Sequence, residues 1–409
     1  MGNNLKFIID ENRTLSYDQL LDYVNNAGEI SNTVGDDADI FEFVEKFIVA
    51  CANSEDITLT NADEHLEKND AFNARELNSK PFVGNAKFDN LDQLLSALKK
   101  STSKITLFTS GTTGRPKRVC HTISTLSVNV KISNSHSADI WAFCYNPSHM
   151  AGLQVLLQAL FNKNICVNLF GKSRSHVYSA IDKFSITNIS ATPTFYRLLL
   201  PPQDIFNNVR RITFGGEKSN ESLYEAMRKI FPSAKITNVY ASTEVGALLA
   251  SAGDTFKIPQ ELVDFVKIQD SELLIHKSIL PQSPDMPLDG DFFRTGDIVD
   301  FCNPQKTIFK FVSRKSDFVN VGGYKINPNE VEESIKSIQG VADAIVFGKK
   351  NSILGNILCA DIKPLPNANI SESDIRVCLS NKLQQFKIPR IIKFVETLPL
   401  TKTGKIKRS

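Results

Sequence analysis

The sequence has no CxxC pair and no Cys/His cluster at metal-ligand spacing; its seven cysteines, Cys51, Cys120, Cys144, Cys166, Cys302, Cys359 and Cys378, are scattered along 409 residues. That argues against a zinc site and against a disulfide framework. Reduced thiols and a cytoplasmic protein are the expectation. No run approaches the roughly eighteen apolar residues of a membrane span, so none is expected. The opening MGNNLKFIIDENRT lacks a signal-peptide apolar region, and Lys6 stands where a myristoylation signal needs Ser or Thr. Charge of one sign is also lacking: 47 Lys and Arg oppose 45 Asp and Glu, a net +2. No broad basic footprint follows, and no nucleic-acid partner is expected. Repeats and low-complexity tracts are absent. What is present, 42% hydrophobic and 22% charged residues with 20 Gly and 17 Pro, is globular composition at a length that predicts at least two domains.

From about Lys104, β-branched runs alternate with helical periodicity. ITLF at 105–108, NICVNLF at 164–170, ITNISAT at 186–192, RRITFGG at 210–216 and KITNVY at 235–240 read as buried strands, and Ser124 to Ile132 reads as helical. This rhythm predicts a largely parallel α/β sheet, in which ligands bind at loops beyond the carboxyl ends of strands. After about Phe311 the pattern becomes that of a compact α+β unit. Asn327-Pro328-Asn329-Glu330 offers an N-cap, a first-turn proline and a capping-box Glu, with Val331, Ile335 and Ile338 on one face and Gly340 as a stop. A second helix is expected to start at Ser371. The charged break Ser313–Asp317 marks the boundary.

Thr109-Ser110-Gly111-Thr112-Thr113-Gly114-Arg115-Pro116-Lys117 follows a strand directly. Glycines let a loop close around phosphate, hydroxyls and backbone N–H groups donate, and Lys117 adds positive charge. The Walker A spacing GxxxxGK[ST] is absent, and standing alone the segment would favour a surface loop. Further along, in fixed order, come Gly215-Gly216-Glu217, Tyr240-Ala241-Ser242-Thr243-Glu244, Thr295-Gly296-Asp297, Ser313-Arg314 through Gly323, and Gly404-Lys405.

Together these segments resemble the core motifs of the acyl-adenylate-forming superfamily, which includes acyl-CoA synthetases, peptide-synthetase adenylation domains and luciferases. The likeness runs from about Ile105 to Ser409, and Leu15-Ser16-Tyr17-Asp18-Gln19-Leu20 is similar to the family's first, weak motif. The resemblance implies that the 109–117 loop closes over the β- and γ-phosphates of ATP. It implies that Glu244 holds Mg²⁺, a cation that favours carboxylate oxygen, and that Thr243 bonds the α-phosphate. By the same resemblance Asp297 would accept the ribose hydroxyls with Arg314 beside it, and Gly215, Gly216, Glu217 and Tyr240 would sandwich adenine. Lys405 would bridge carboxylate and α-phosphate, offsetting the repulsion of two anions. Gly322 and Gly323, in Val321-Gly322-Gly323-Tyr324-Lys325, would admit the pantetheine arm of coenzyme A. His149 matches the position beside the acyl tunnel, although by itself it also reads as a packed or capping residue. His121 is assigned no role.

The expected fold is α/β: a large amino-terminal domain of mixed and parallel sheets flanked by helices over 1–312, a hinge at 313–317, and a small mobile α+β domain over 318–409. The implied activity is conversion of a small carboxylic acid to acyl-AMP with release of pyrophosphate, then thioester formation with coenzyme A. The alternatives are a stand-alone adenylation enzyme that loads the phosphopantetheine of an acyl carrier protein, and a nucleotide-binding pseudoenzyme. Pro147-Ser148-His149-Met150 lacks the Asp with which amino-acid-activating relatives pair the substrate amine, which disfavours an amino-acid substrate. Ala241 and Ser313 depart from the family's usual glycines. The amino-terminal part and the stretch from Gln269 to Arg294 are short for the family.

Overall fold

The computed structural model describes residues 5–35, 38–60, 80–109, 117–281, 286, 288–321, 324–351 and 355–398. It forms two compact units, one holding the described residues up to Phe265 with His276–Phe293, the other Val266–Ile275 with the described residues from Arg294 onward.

The first unit is built on two sheets. Its strands are β1 (Lys6–Asp10), β2 (Arg13–Ser16), β3 (Thr33–Val34), β4 (Ile57–Leu59), β5 (Ile105–Thr109), β6 (Lys117–His121), β7 (Ile140–Phe143), β8 (Ile165–Asn168), β9 (Asn188–Ala191), β10 (Arg211–Gly215), β11 (Lys235–Ser242) and β12 (Gly246–Ser251). An eight-stranded sheet runs β12-β11-β10-β9-β7-β8-β1-β2, and a four-stranded one runs β3-β4-β5-β6. In the larger sheet the six inner strands pair in parallel, while β2 and β12 close the two edges antiparallel. In β9 and β10 an apolar residue stands at every second position, and the polar residues between them, Ser190 and Thr213, are part-exposed. Ile189, Ala191, Ile212 and Phe214 are accordingly buried.

Helices α1 (Tyr17–Asn25), α2 (Ile40–Ala52), α3 (Leu91–Lys99), α4 (Ile123–Leu126), α5 (Met150–Phe161), α6 (Arg174–Lys183), α7 (Pro193–Leu198) and α8 (Glu221–Ile230) complete this unit. The α1 start follows from local chemistry: Ser16 caps the Gln19 amide and the Gln19 side chain returns to the Ser16 N–H, a reciprocal box. In α2, Phe43, Val44, Phe47, Ile48 and Val49 are fully buried, so the helix is covered on nearly every side by one of two apolar clusters.

The helix expected over Ser124–Ile132 is only the four-residue α4. Beyond it Gln158 on α5 accepts from the Lys131 N–H and donates to its carbonyl, while Asn129 donates to Ala247 O. Gln158 thus takes up backbone groups that a continued helix would need, and Val128 and Ile132 are left exposed.

The second unit contains β13 (Val266–Gln269), β14 (Glu272–His276), β15 (Phe292–Phe301) and β16 (Ile308–Arg314), neighbours in the order β16-β15-β14-β13. Next come α9 (Pro328–Lys336), β17 (Val341–Asn351), β18 (Gly355–Pro364), α10 (Glu372–Ser380) and β19 (Ile391–Phe394), with the three strands ordered β17-β18-β19. Val331, Ile335, Ala344, Val346, Leu358, Ile362, Ile375 and Leu379 form their common core. As expected, Ser371 caps α10. The capping box expected at Glu330 does not form: Asn327 caps the Asn329 amide, while the Glu330 carboxylate takes Lys387 Nζ at 2.6 and 2.9 Å. An ion pair has taken the acceptor that the box required. Among the described residues no helix is long and apolar enough to cross a membrane, and no three His, Cys, Asp or Glu side chains form a metal cluster.

Candidate active site

The 109–117 segment lies between β5 and β6 in the chain. Strands β5 and β6 are antiparallel, with Thr109 opposite Lys117 as the last pair. Ile105 and Leu107 are buried and anchor β5. Ser110, Gly111, Thr112, Thr113 and Gly114 lie outside the described residues, and of Thr109 and Lys117 the backbone alone is described.

Thr243 and Glu244 occupy a second hairpin, at the carboxyl end of β11. Ser242 pairs with Gly246, which leaves a three-residue connection, Thr243-Glu244-Val245. Gly246 ends it with φ +67°, the left-handed residue that such loops call for. A Cβ at Gly246 would also lie 2.9 Å from Met150 Cε and 3.0 Å from Gln154 Nε2, so the glycine lets α5 pack directly on the loop. Ala241, the departure from Tyr-Gly, sits in β11 beside a register shift and has no positive φ, so the strand conformation accepts its methyl. The Glu244 carboxylate, part-exposed, has no hydrogen-bond or ion-pair partner among the described residues.

The Thr243 carbonyl accepts a 2.7 Å hydrogen bond from His121 Nε2, while His121 Nδ1 lies 3.1 Å from Thr125 Oγ1. His121 is the last residue of β6 and is 2% exposed. Burial pushes its imidazole below the ordinary histidine value, against the opposing effects of the Thr243 bond and the Glu244 charge. The neutral ring therefore carries its proton on Nε2, since a carbonyl only accepts.

Gly215 ends β10, and Gly216 turns the chain with φ +80°. A Cβ on Gly215 would stand 3.3 Å from the Tyr145 hydroxyl, a closer approach than most side chains make. Glu217 accepts from the Thr194 N–H at 3.0 Å and from its hydroxyl at 2.7 Å, at the start of α7. Its carboxylate is thereby engaged, and what this segment offers a ligand is mainly backbone. Tyr240 lies on β11, next to β10 in the sheet. His149 is the N-cap residue of α5, and its side chain makes no capping hydrogen bond. The loops after β7, β10 and β11 thus place His149, Gly215–Glu217 and Thr243–Glu244 at the same carboxyl edge of the parallel sheet.

Asp297 and Arg314 belong to the second unit and are partners there. They face each other across β15 and β16, and Arg314 Nε donates to Asp297 Oδ1 at 2.9 Å. The backbone before Asp297 is held by Glu272, 2% exposed, whose Oε1 accepts from the Gly296 N–H at 3.0 Å and whose Oε2 accepts from Arg294 Nε at 3.0 Å. Lys315 Nζ lies 3.7 Å from the same carboxylate. Thr295 Oγ1 donates to Leu273 O at 2.7 Å and accepts from the Asp297 N–H at 3.0 Å. Ser313, where the family commonly has glycine, is buried, and its hydroxyl has no partner among the described residues. Lys405, Gly322 and Gly323 lie outside the described residues.

Two residues of these sites, His121 and Glu272, were given no role by the sequence. A histidine directly after the Lys117 strand and an acid opening an ELLI run are weak signals, because their partners are 122 and 24 residues away.

A parallel sheet with hydroxyl, carboxylate and glycine-rich loops at one end of its strands, accompanied by a second α+β unit, defines a nucleotide-binding α/β protein of two units. The family model described as AMP-binding enzyme matches residues 44–265, and that of the AMP-binding enzyme C-terminal domain matches 330–405. The chain belongs to the AMP-binding enzyme family. It is 27% identical over 349 residues to the mitochondrial acyl-coenzyme A synthetase ACSM4 of Rattus norvegicus, covering 74% of this chain and 59% of that one. It is likewise 27% identical over 345 residues to 2-succinylbenzoate–CoA ligase of Staphylococcus aureus, covering 78% of this chain and 67% of that one. The chain thus spans about three fifths to two thirds of the length of these relatives. Among solved structures, ATP-bound MatB from Rhodopseudomonas palustris superposes with a TM-score of 0.72 at 18% identity, over 98% of this chain and 94% of that one. The o-succinylbenzoate CoA synthetase MenE from Bacillus subtilis gives 0.70 at 19% identity, over 100% and 95%. At these identities the likeness is one of fold.

Proposed function

We propose that the protein activates a small carboxylic acid with ATP and transfers the acyl group to the thiol of coenzyme A. A carboxylate oxygen of the acid attacks the α-phosphorus, the bond to the β-phosphate bridge breaks, and pyrophosphate leaves. The thiolate then attacks the carbonyl carbon of the mixed anhydride, and AMP departs. The observation that carries the reading is the short hairpin that displays Thr243 and Glu244 at the strand ends, with the Thr243 carbonyl fixed and the Glu244 carboxylate uncommitted among the described residues.

In this reading Thr243 bonds the α-phosphate, the 109–117 loop receives the outer phosphates, and backbone at Gly215–Glu217 with Tyr240 receives adenine. Asp297 accepts the ribose hydroxyls with Arg314 beside it, and Lys405 lies between the carboxylate and the α-phosphate. His149 borders the acid. A single uncommitted carboxylate fits Mg²⁺, which commonly takes one or two carboxylates together with substrate phosphates. Glu244 would hold it, and the ion would supply positive charge against the phosphates. Gly322 and Gly323 admit pantetheine, and the hinge lies in Ser313–Asp317.

Support for the thiol-transfer step comes from the named activities of the relatives, a CoA synthetase and a CoA ligase. Loading of a carrier protein is the second reading, favoured by one observation: 24% identity over 391 residues with bacitracin synthase 3 of Bacillus licheniformis, covering 86% of this chain and 6% of that one. A panel of aliphatic, aryl and hydroxy acids with ATP and coenzyme A, read by mass detection of thioester and AMP, tests the proposal. Product with phosphopantetheinylated carrier protein and none with coenzyme A would favour the second reading. No acid-dependent pyrophosphate release with any member would sink both.

A further inference from the structure

We propose that His121 is a positioning residue for the adenylation step: its Nε2–H bond to the Thr243 carbonyl holds the Thr243–Glu244 loop in the form that meets the α-phosphate. This rests on the activity proposed above.

The argument starts from how little else fixes that loop. Within the connection between β11 and β12 the backbone contact is Val245 N–H to Ser242 O at 3.4 Å, near the outer limit of a hydrogen bond. The bond from His121, at 2.7 Å, is much shorter and comes from the edge strand of the other sheet. The ring is itself held from behind. Thr125 Oγ1 faces Nδ1, and that hydroxyl belongs to a reciprocal cap in which Thr122 and Thr125 bond each other's backbone amides. Imidazole orientation is thus set within five residues of chain, and its proton is aimed at a carbonyl far away in sequence.

His121 also ends the strand that leaves the phosphate loop, since β6 begins at Lys117 opposite Thr109. One side chain therefore ties the exit of the phosphate-loop hairpin to the hairpin that carries Thr243 and Glu244. The strand that follows the 109–117 loop and the loop proposed to receive the α-phosphate are set relative to each other by this bond. Displacing a reacting group by about 1 Å lowers a rate by on the order of a hundredfold, so a tether of this kind acts on turnover more than on ground-state affinity.

The test compares His121→Leu, which removes the donor, with His121→Gln, whose amide nitrogen reaches a position similar to Nε2. A third variant, Thr125→Ala, leaves the imidazole in place but removes its rear support. Three quantities are measured on the full chain: kcat for acid-dependent ATP–pyrophosphate exchange, Kd for MgATP by calorimetry, and the thermal midpoint. His121→Leu is expected to lower kcat by about 10- to 100-fold while Kd for MgATP changes less than about threefold. His121→Gln should recover kcat to within about fivefold of wild type, and Thr125→Ala should fall between the two. Wild-type kcat in His121→Leu overturns the inference. So does an equal loss in the Leu and Gln variants when Gln retains the wild-type midpoint. If His121→Leu does not fold, the Gln and Thr125→Ala pair decides: wild-type kcat in Thr125→Ala, or an unrescued Gln variant that folds, overturns it. Absence of exchange in the wild type with every acid tried refutes the proposed function instead, a separate result.

Discussion

Replacing Glu272 should loosen the Thr295–Asp297 segment and, on the role proposed for Asp297, weaken recognition of ribose. Its carboxylate is buried and accepts from the Gly296 amide and from Arg294 Nε and Nη2, with Lys315 Nζ at 3.7 Å. A hydrogen bond to a charged group contributes about 1.5–3 kcal/mol. Breaking a buried ion pair by removing one partner costs about 3–5 kcal/mol. The Arg294 side chain is 29% exposed and recovers part of its hydration once Glu272 is gone, so the lower end applies. For Glu272→Ala the net loss is about 3 kcal/mol, local to the second unit, because both effects share one carboxylate and do not add. Glu272→Gln keeps an acceptor for Gly296 and should lose about half of that. Hydrogen exchange of the 294–301 segment reads the local loss directly: about 3 kcal/mol is roughly a hundredfold faster opening. The functional readout is the ratio of kcat/KM for ATP to that for 2′-deoxy-ATP, expected to fall about tenfold as Asp297 loses its fixed place. Unchanged amide protection together with an unchanged nucleotide ratio in Glu272→Ala would refute the reasoning.

Three further outcomes are expected. Lys405→Ala should abolish acid-dependent ATP–pyrophosphate exchange by about 100-fold or more while MgATP binding persists, and undiminished exchange would remove Lys405 from the chemistry. Cys51, Cys144 and Cys166 are buried with thiols pushed up by desolvation, so in the native protein a maleimide should leave them unmodified and react at exposed Cys302; early labelling of Cys51 would contradict the packing of α2. Ser16→Ala removes the α1 cap and should lower stability by about 1 kcal/mol, measured by denaturant midpoint, with Ser16→Asp close to wild type.

The strands at Ile105–Thr109, Ile165–Asn168, Asn188–Ala191, Arg211–Gly215 and Lys235–Ser242 were legible as short runs rich in β-branched and apolar residues. The β1 strand, KFIID, was not read as part of that sheet. It is short and local in sequence to β2, and only its parallel pairing with β8 places it. The overextended helix after Ser124 failed for a related reason, since Gln158, from outside the segment, takes the Lys131 backbone groups. At the site, residues announced by loop composition, such as Gly215–Glu217 and Thr243–Glu244, stand at strand ends and turns where that composition is needed, whereas Asp297 lies within β15. The side chains that fix those loops, His121 and Glu272, act through partners that no window of sequence contains.

The three-residue connection from Ser242 to Gly246 bears on which changes of length the chain accepts. Side chains in a strand alternate faces with a period of two, so one residue inserted there would turn over every side chain of β12. Leu249, buried, would face outward, and Gly246 would no longer be the residue against which Met150 and Gln154 pack. Insertions and deletions among homologues should therefore stop on either side of this hairpin, and loop grafts that exchange substrate preference between relatives should take Ser242–Gly246 as one indivisible piece.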